Sequence, residues 1–218
     1  MKVAVVKNIL DANERIAAEN REIFRKHRLF VINLMSSPGA GKTTLLEAMG
    51  RSLSSDLRIG VIEGDIQSTL DADRVAAAGL AAVQIETAGA CHLDANMIRS
   101  SLANLDLANL DLVVVENVGN LVCPAEFNVG EDCKVMLLSV TEGDDKPFKY
   151  PLMFQESSVL LISKTDLLPH LRCDVAKIRQ AALSINPTIT IFEVSTYTGQ
   201  GLDAWHGWVR DQVRQARA

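Results

Sequence analysis

The segment SSPGAGKTT, at positions 36 to 44, has residue types and spacing that suit the binding of phosphate groups. It follows the apolar run LFVINLM and precedes TTLLEAM, an order typical of a buried strand and a helix. Its glycines permit a tight loop whose backbone N–H groups converge on an anion, and the helix N-terminus adds positive potential. We expect Lys42 to reach the outer phosphates and the Thr43 hydroxyl to bind Mg²⁺; the alternative is a glycine-rich turn that only caps a helix. The residues predicted to contact nucleotide phosphates are Pro38, Gly39, Ala40, Gly41, Lys42, Thr43 and Thr44.

Two carboxylates follow apolar runs and are candidates to complete a magnesium site. Asp65 lies in EGDIQST at the end of the second apolar run. Glu116 ends LVVVE with Gly119 three residues later, the spacing at which a nucleotide switch senses the γ-phosphate. Magnesium keeps several waters and takes one or two protein carboxylates, so Thr43, Asp65 and Glu116 are the predicted Mg²⁺ ligands. Together with Lys42, the two carboxylates form the predicted catalytic set. Each carboxylate has a simpler alternative role, as a helix cap or a solvent-facing charge.

The tetrapeptide SKTD, at positions 163 to 166, is a candidate for recognition of a guanine base. A carboxylate at Asp166 can accept hydrogen bonds from the N1–H and the exocyclic amine of guanine, and Lys164 can lie along the plane of the base. The tetrapeptide resembles the Asn-Lys-x-Asp element of GTP-binding proteins, with Ser163 in place of the Asn. The alternative is a surface turn. The later segment VSTYTG predicts further base contacts by Ser195 and Thr196.

A cysteine, a histidine and a second cysteine form a candidate metal site. Cys91 and His92 are adjacent in GACHLDA, and Cys123 lies in ENVGNLVCP, seven residues beyond the glutamate predicted to sense the γ-phosphate. Thiolate and imidazole ligands suit Ni²⁺ and Zn²⁺. Three ligands leave the coordination incomplete, so a symmetric dimer could close it. The alternative is a buried thiol beside a capped imidazole; Cys133 and Cys173 are interpreted as core or surface thiols.

The distribution of apolar residues predicts an α/β fold. A helical stripe of Ile9, Ile16 and Ile23 marks a helix over residues 8–28. Strands without polar alternation, separated by helix-length segments, indicate a doubly wound, mostly parallel sheet flanked by helices, with ligands bound beyond the carboxyl ends of the strands. We expect a strand/helix extension at 1–28 packed on a phosphate-loop domain at 29–218. The predicted strands lie within 29–35, 57–64, 81–86, 110–118, 133–140, 158–163 and 188–194.

Composition excludes several classes of protein. The 218 residues include 22 Lys and Arg against 27 Asp and Glu, a formal net charge of −5. Because contacts to nucleic-acid phosphates need a positive surface, we expect no nucleic-acid partner. No apolar run approaches the roughly 18 residues of a membrane span, and the first residues do not resemble a secretion signal. The sequence therefore predicts a globular, cytoplasmic protein.

Several longer strings resemble one family of GTPases. SSPGAGKTTLL, EGDIQSTLDADR, AGACHLDA, ENVGNLVCPAEFNVGED and TEGDDKPFKYPLMF are similar to the HypB family, the GTPases of nickel insertion in [NiFe]-hydrogenase maturation, from about residue 9 onward. The resemblance implies a SIMIBI-class G domain, a GTP-favoured homodimer, and a nickel or zinc site of Cys91, His92 and Cys123 at the subunit interface. It also implies that Lys149, in FKYP, approaches nucleotide across the dimer.

These features predict a slow GTPase that acts as a metallochaperone. Since no Gln follows the ExxG segment and no arginine finger is identifiable, we expect turnover of about 10⁻⁴ to 10⁻² per second. The implied recipients of the metal are a nickel-delivery partner of the maturation system and the hydrogenase large subunit. The alternatives are an accessory GTPase of the urease or methylmalonyl-mutase type, a small-molecule phosphate-loop kinase, and a metal-binding protein with a degenerate nucleotide site.

Overall fold

The structure of the protein, a computed structural model, describes the backbone of residues 2–65, 70–87 and 89–218 and the side chains of residues 8–64, 74–87 and 89–218. The strands are β1 (Phe30–Ser36), β2 (Ile59–Asp65), β3 (Ala81–Glu86), β4 (Leu112–Glu116), β5 (Cys133–Ser139), β6 (Val159–Ser163) and β7 (Thr190–Glu193). The α-helices are α1 (Lys2–Lys26), α2 (Lys42–Leu53), α3 (Leu70–Ala77), α4 (Ala95–Ser101), α5 (Cys123–Glu126), α6 (Lys146–Lys149), α7 (Pro151–Glu156), α8 (Val175–Ile185) and α9 (Leu202–Arg217). Short 3-10 helices cover Leu102–Asn104, Leu107–Asn109, Val140–Glu142 and Thr165–His170.

The strands form one seven-stranded sheet in the order β3-β2-β4-β1-β5-β6-β7, and every neighbouring pair is parallel. The predicted doubly wound parallel sheet is therefore confirmed, and each predicted strand is present. Every residue of β1, β4, β5 and β6 is buried, whereas the edge strands β3 and β7 are partly exposed. Burial on both faces explains why the central runs are apolar without alternation.

Helices cover both faces of the sheet. One apolar cluster joins β1, β2 and β4 to α2 and α9, and its largest buried side chain is Trp205. Two further clusters cover the other face, one beneath α1 and α4 and the other beneath α7 and α8. Among the helices that the structure describes, none is both long and apolar enough to cross a bilayer.

The helix α1 differs in two ways from the extension that the sequence predicts. Residues 2–26 form a single helix, so the strand expected at its start is absent from them. Ile9 is 53% exposed, and the isoleucine stripe lies at the edge of the buried face instead of its centre. The buried side chains follow one another at spacings of four, three and four residues, as on one face of an α-helix, and Ile16 and Ile23 each lie one residue before a buried position. The boundary at residue 28 stays a prediction. The buried positions among the described side chains of α1 are Asn13, Ala17, Asn20 and Phe24.

The two buried asparagines of α1 hold loops of the main domain. The Asn13 side chain donates to the Asn128 carbonyl at 2.8 Å and accepts from the Ala95 N–H at 2.9 Å. The Asn20 amide donates to the carbonyls of Ala95, at 2.8 Å, and Val129, at 3.0 Å. Because buried backbone groups need partners, these amides explain why polar residues occupy the apolar face of the helix.

At the end of the sheet opposite the phosphate loop, Asp111 joins three elements. Its carboxylate accepts from the Nε and Nη2 of Arg58, at 2.9 and 2.8 Å, and contacts Arg217 of α9. These hydrogen bonds, led by those from the Arg58 side chain, lower the pKa of Asp111 from 3.8 to about 2. Ionised Asp111 therefore stabilises the folded state above its unfolded pKa, and this contribution is lost as the pH falls toward 2.

Replacing this carboxylate tests its contribution to stability. Asp111→Asn should lower the free energy of unfolding by about 2 kcal/mol at pH 7, because the change removes the charge that Arg58 and Arg217 bind. Urea unfolding between pH 7 and pH 3 should show the difference from wild type shrinking below pH 4. The matched control Asp211→Asn, in an exposed pair with Arg214, should change stability by less than about 0.5 kcal/mol. Equal effects of the two substitutions would show that the Arg58 and Arg217 contacts do not stabilise the fold.

Candidate nucleotide and metal site

The loop between β1 and α2 has the geometry of a phosphate-binding loop. Gly39 and Gly41 adopt φ values of 74° and 109°, a left-handed conformation that side chains disfavour. The Nζ of Lys42 lies 3.1 Å from the Ser36 hydroxyl and donates to it, which directs the ammonium group back over the loop. The loop borders a cleft of about 470 Å³ at the carboxyl end of the sheet. Of the predicted phosphate contacts, Pro38, Gly39, Gly41, Lys42, Thr43 and Thr44 line this cleft.

Two glutamates stand beside the phosphate loop at the carboxyl ends of β2 and β4. The Thr43 hydroxyl donates to Glu116 Oε1 at 3.1 Å, which places Glu116 beside the phosphate loop, and its role as a Mg²⁺ ligand stays a prediction. Glu63 is paired with Glu116 in strand register and is 1% exposed in the cleft wall. A hydroxyl and carboxylate oxygens are the donor set that Mg²⁺ prefers. Asp65 ends β2, but its side chain lies outside the described residues, so its predicted role stays a prediction.

The segment after β4 packs directly on the phosphate loop. A Cβ added at Gly119 would lie 2.9 Å from the backbone N and Cα of Pro38, closer than real Cβ atoms come to backbone. Asn117, Val118 and Gly119 all line the cleft. Position 119 therefore requires glycine because two backbone segments meet there.

A second, smaller pocket of about 260 Å³ adjoins the first and is lined by three of the four predicted base-binding residues, Lys164, Asp166 and Thr196. Asp166 and Thr196 line it together with Ala40, whose own side chain is 2% exposed. Ser195 is fully buried, and its hydroxyl donates to Asp166 Oδ1 at 2.5 Å. Ser195 thus orients the carboxylate and does not line the pocket. The exposed ring of Tyr197 lies at its rim.

The residues that precede Asp166 tie the base pocket to the phosphate loop. The Ser163 hydroxyl donates to the Ala40 carbonyl at 3.0 Å, so serine in place of the usual Asn still holds the loop. Lys164 has a left-handed φ of 59°, and its Nζ donates to the Gly39 carbonyl at 2.7 Å. The two predicted recognition elements are therefore physically joined.

Lys149 lies apart from both pockets. It ends α6, its side chain is 61% exposed, and its Nζ pairs with Asp145 at 2.5 Å. It is absent from the lining of either pocket. The expectation that it approaches nucleotide in a second subunit stays a prediction.

The structure brings Cys91, His92 and Cys123 together. Their ligand atoms all lie within 4.8 Å of one another, with 3.0 Å between the two sulfurs and 3.4 Å from Cys91 Sγ to His92 Nδ1. Cys91 and His92 precede α4, whose N-terminus is capped by Asp94, and Cys123 is the first residue of α5. Two thiols and an imidazole are suitable ligands for zinc or nickel.

The surroundings favour the ligating form of the imidazole. Burial lowers the pKa of His92, so its ring is neutral near pH 7, and it packs on Phe127 with 4.0 Å between ring centroids. The hydrogen bond with Cys91 raises the pKa of the Cys123 thiol, because this contact favours keeping the proton on that sulfur. A bound cation would displace that proton. The remaining cysteines lie outside this cluster: burial raises the pKa of Cys133 to about 12, and Cys173 packs beside the apolar cluster under α7 and α8.

Three side chains at the cleft are not identified by the sequence patterns. Glu63 is a charged residue within the apolar strand sequence VIEG, and this departure from an apolar pattern indicates a functional position. Arg74 of α3 lines the cleft; its Nε donates to Glu47 Oε1 at 2.8 Å, and its Nη2 lies 3.5 Å from the Thr44 hydroxyl. Asn117 follows Glu116 and also lines the cleft. Two hydrogen-bond partners of Asn117 are distant in sequence, so only the tertiary structure reveals them. No spacing rule identifies Arg74 or Asn117.

Comparison with known proteins places these features in a family. Residues 30–193 match the family described as CobW/HypB/UreG, nucleotide-binding domain. The hydrogenase maturation factor HypB of Azotobacter vinelandii is 50% identical over 208 residues, which cover 95% of this chain and 69% of that protein.

Two solved structures are similar in fold and sequence. The crystal structure of HypB from Helicobacter pylori in complex with nickel has a TM-score of 0.90 and 39% identity, covering 94% of this chain and 96% of that one. HypB from Archaeoglobus fulgidus has a TM-score of 0.88 and 37% identity, covering 93% of this chain and 99% of that one. The chain therefore belongs to the HypB family of hydrogenase maturation factors, within the CobW/HypB/UreG nucleotide-binding proteins.

Proposed function

We propose that this chain is a GTP-hydrolysing metallochaperone that binds nickel or zinc and helps insert nickel during [NiFe]-hydrogenase maturation. The observation that carries the proposal is the cluster of Cys91, His92 and Cys123, reached from the nucleotide cleft through a single short segment, residues 116–123. The nickel complex of the Helicobacter pylori relative supports nickel as the cargo. A cytoplasmic location is part of the proposal.

The cleft supports hydrolysis by charge neutralisation. Lys42 and the loop N–H groups face the space where the phosphates would lie, and they would stabilise negative charge that develops on the γ-phosphate. Thr43 and Glu116, with Asp65, would hold Mg²⁺. When bound, Mg²⁺ supplies further neutralisation of the phosphate oxygens. Glu116 has a second task, because its hydrogen bond fixes the Thr43 hydroxyl in position.

The base pocket supports guanine as the preferred purine. Asp166 can accept from both guanine donors, and the hydrogen bond from Ser195 fixes its rotamer. Lys164 spans from the pocket to the phosphate loop, so its alkyl chain can cover one face of the base.

The metal cluster supports a homodimer as the active assembly. Three ligands from one subunit leave a tetrahedral zinc or nickel site incomplete, and a two-fold axis would bring an identical loop pair to each ion. We propose that GTP favours this dimer, with Lys149 reaching the nucleotide of the other subunit. The metal would pass to a nickel-delivery partner of the maturation system and then to the hydrogenase large subunit.

Removing each ligand tests the metal site. Cys91→Ala, His92→Ala and Cys123→Ala should each weaken nickel binding at least about 100-fold, more than the loss of an outer partner costs. Competition titration against a chromophoric chelator measures the affinity. Cys173→Ala, a half-buried cysteine outside the cluster, is the matched control and should bind like wild type. Wild-type affinity in all three ligand variants would rule out this site.

We also propose that the chain is a delivery switch, in which GTP hydrolysis changes nickel affinity through segment 116–123. The same titration tests this coupling between nucleotide and metal. Wild-type nickel affinity is measured with no nucleotide, with GDP·Mg²⁺ and with a non-hydrolysable GTP analogue·Mg²⁺, and sedimentation gives the mass in each state. We expect affinity and dimer fraction to change together between the diphosphate and the triphosphate states. Identical nickel affinity in the three states would contradict a delivery switch.

Substitution of the base-binding carboxylate tests nucleotide preference. Asp166→Asn should weaken GTP binding by about 10- to 100-fold, since hydrogen bonds to a charged group contribute about 1.5–3 kcal/mol each, and should strengthen binding of xanthosine triphosphate. Equilibrium binding of fluorescent nucleotides measures both affinities. Asp211→Asn, an exposed change of the same kind, should leave them unaltered. An unchanged purine preference in Asp166→Asn removes SKTD from base recognition.

Neutralising Glu116 tests its part in hydrolysis. Glu116→Gln keeps an acceptor for Thr43 but removes the charge, so the rate should fall about 10- to 100-fold and need more Mg²⁺. Single-turnover phosphate release over a series of Mg²⁺ concentrations gives both quantities. Glu156→Gln, an exposed glutamate on α7, is the control. Equal rates and equal Mg²⁺ dependence in the two variants would exclude Glu116 from the magnesium site.

A further inference from the structure

Two asparagines of the segment after Glu116 hold the Cys91–His92 pair from both sides. Asn117 Oδ1 accepts from the Leu93 N–H at 2.9 Å, one residue beyond His92. Asn120 Nδ2 donates to the Cys91 carbonyl at 3.2 Å, one residue before His92. The backbone that carries the first two metal ligands is therefore bonded twice to the five residues that begin with the predicted γ-phosphate sensor.

Each asparagine is also fixed within its own segment. Asn117 Oδ1 accepts a second bond from the Val118 N–H at 3.0 Å, and Asn120 Oδ1 accepts from the Val122 N–H at 2.9 Å. Asn117 is 1% exposed, so its bonds are shielded from water. A displacement of the segment would therefore move both amide groups with it.

A buried polar chain connects Asn117 to the rest of the metal site. Its Nδ2 donates to Asn33 Oδ1 at 3.0 Å, and Asn33 Nδ2 donates to Glu131 Oε1 at 3.2 Å. Glu131 lies 4.0 Å from Lys134, whose Nζ donates to the Ala125 carbonyl of α5 at 2.7 Å. Because α5 begins with Cys123, the chain of polar groups runs from one pair of ligands to the third.

We propose that Asn117 and Asn120 are positioning residues that transmit the nucleotide-dependent position of segment 116–120 to Cys91 and His92. The inference rests on the proposed function, because it names the connection through which nucleotide would alter metal affinity. Neither residue is a metal ligand or a phosphate contact in this assignment. They act by setting the spacing of the ligand atoms in each nucleotide state. Their contribution is therefore measured as the difference in nickel affinity between the two states.

The helix α1 provides a matched contrast. Asn13 bonds the Ala95 N–H, two residues beyond Leu93, and the Asn128 carbonyl, so it also ties together the two chain segments that flank the metal cluster. It belongs to a different element, and these two hydrogen bonds do not involve segment 116–120. Removing Asn13 should loosen the metal loops equally in every nucleotide state.

Nickel titrations of variants test the assignment. Asn117→Ala, Asn120→Ala and Asn13→Ala are titrated with Ni²⁺ in GDP·Mg²⁺ and in a non-hydrolysable GTP analogue·Mg²⁺, and binding is followed by thiolate-to-nickel charge-transfer absorption. The readout is the ratio of the nickel dissociation constants in the two nucleotide states. This ratio measures the coupling between nucleotide and metal, whereas a single dissociation constant measures only the metal affinity. Asn120 is only partly buried, so Asn120→Ala serves even where loss of the fully buried Asn117 amide prevents folding.

The outcomes separate this inference from the proposed function. We expect the ratio to fall to within about twofold of one in Asn117→Ala, to fall part of the way in Asn120→Ala, and to stay at the wild-type value in Asn13→Ala. A wild-type ratio in both Asn117→Ala and Asn120→Ala overturns the inference and leaves the delivery switch intact. An equal fall in Asn13→Ala also overturns it, because general loosening would explain the effect. A ratio of one in the wild type itself overturns the proposed function.

Discussion

The close approach of Gly119 to Pro38 is the constraint on which the functional end of the molecule depends. Backbone meets backbone at this point, so the segment that leaves β4 must follow the wall of the phosphate cleft before it turns toward Cys123. Any movement of the phosphate loop at Pro38 would therefore press directly on this segment. The metal cluster lies only a few residues further along the same stretch of chain. The parallel sheet makes this arrangement possible because it brings the carboxyl ends of β1, β2 and β4 to one edge.

Several buried polar residues in and beside the sheet form a hydrogen-bonded network. Asn33 is fully buried in β1, and the side chains of Lys134 and Glu131 are also buried. Such groups destabilise a fold unless each one has a partner, and here they bond to one another and to loop backbone. The network therefore joins the sheet to the Ala125 carbonyl of α5 and to Asn117 through directional bonds.

Much of this architecture could be predicted from the sequence. The features that could not be predicted have one physical cause in common, which is their dependence on contacts between distant segments. Strand positions follow from apolar runs, and the phosphate loop and SKTD follow from local spacing. The proximity of Cys91 to Cys123 follows from family resemblance and is visible in the structure as geometry. The partners of Asn117 depend on strand register and loop packing, so no local pattern contains them. An apolar pattern does not identify the buried face of α1, because two of its buried residues are asparagines. These asparagines are buried because their side chains hydrogen-bond to backbone groups.

The spacing of the two sulfurs has a mechanical consequence. At 3.0 Å, Cys91 Sγ and Cys123 Sγ are closer than they can be around a shared tetrahedral ion, since two metal–sulfur bonds of about 2.3 Å hold the sulfurs about 3.8 Å apart. Capture of an ion at this site would therefore require the two sulfurs to move apart by about 0.8 Å. By thermodynamic reciprocity, any force that spreads them in advance lowers the work of capture, and any force that closes them helps to expel the ion.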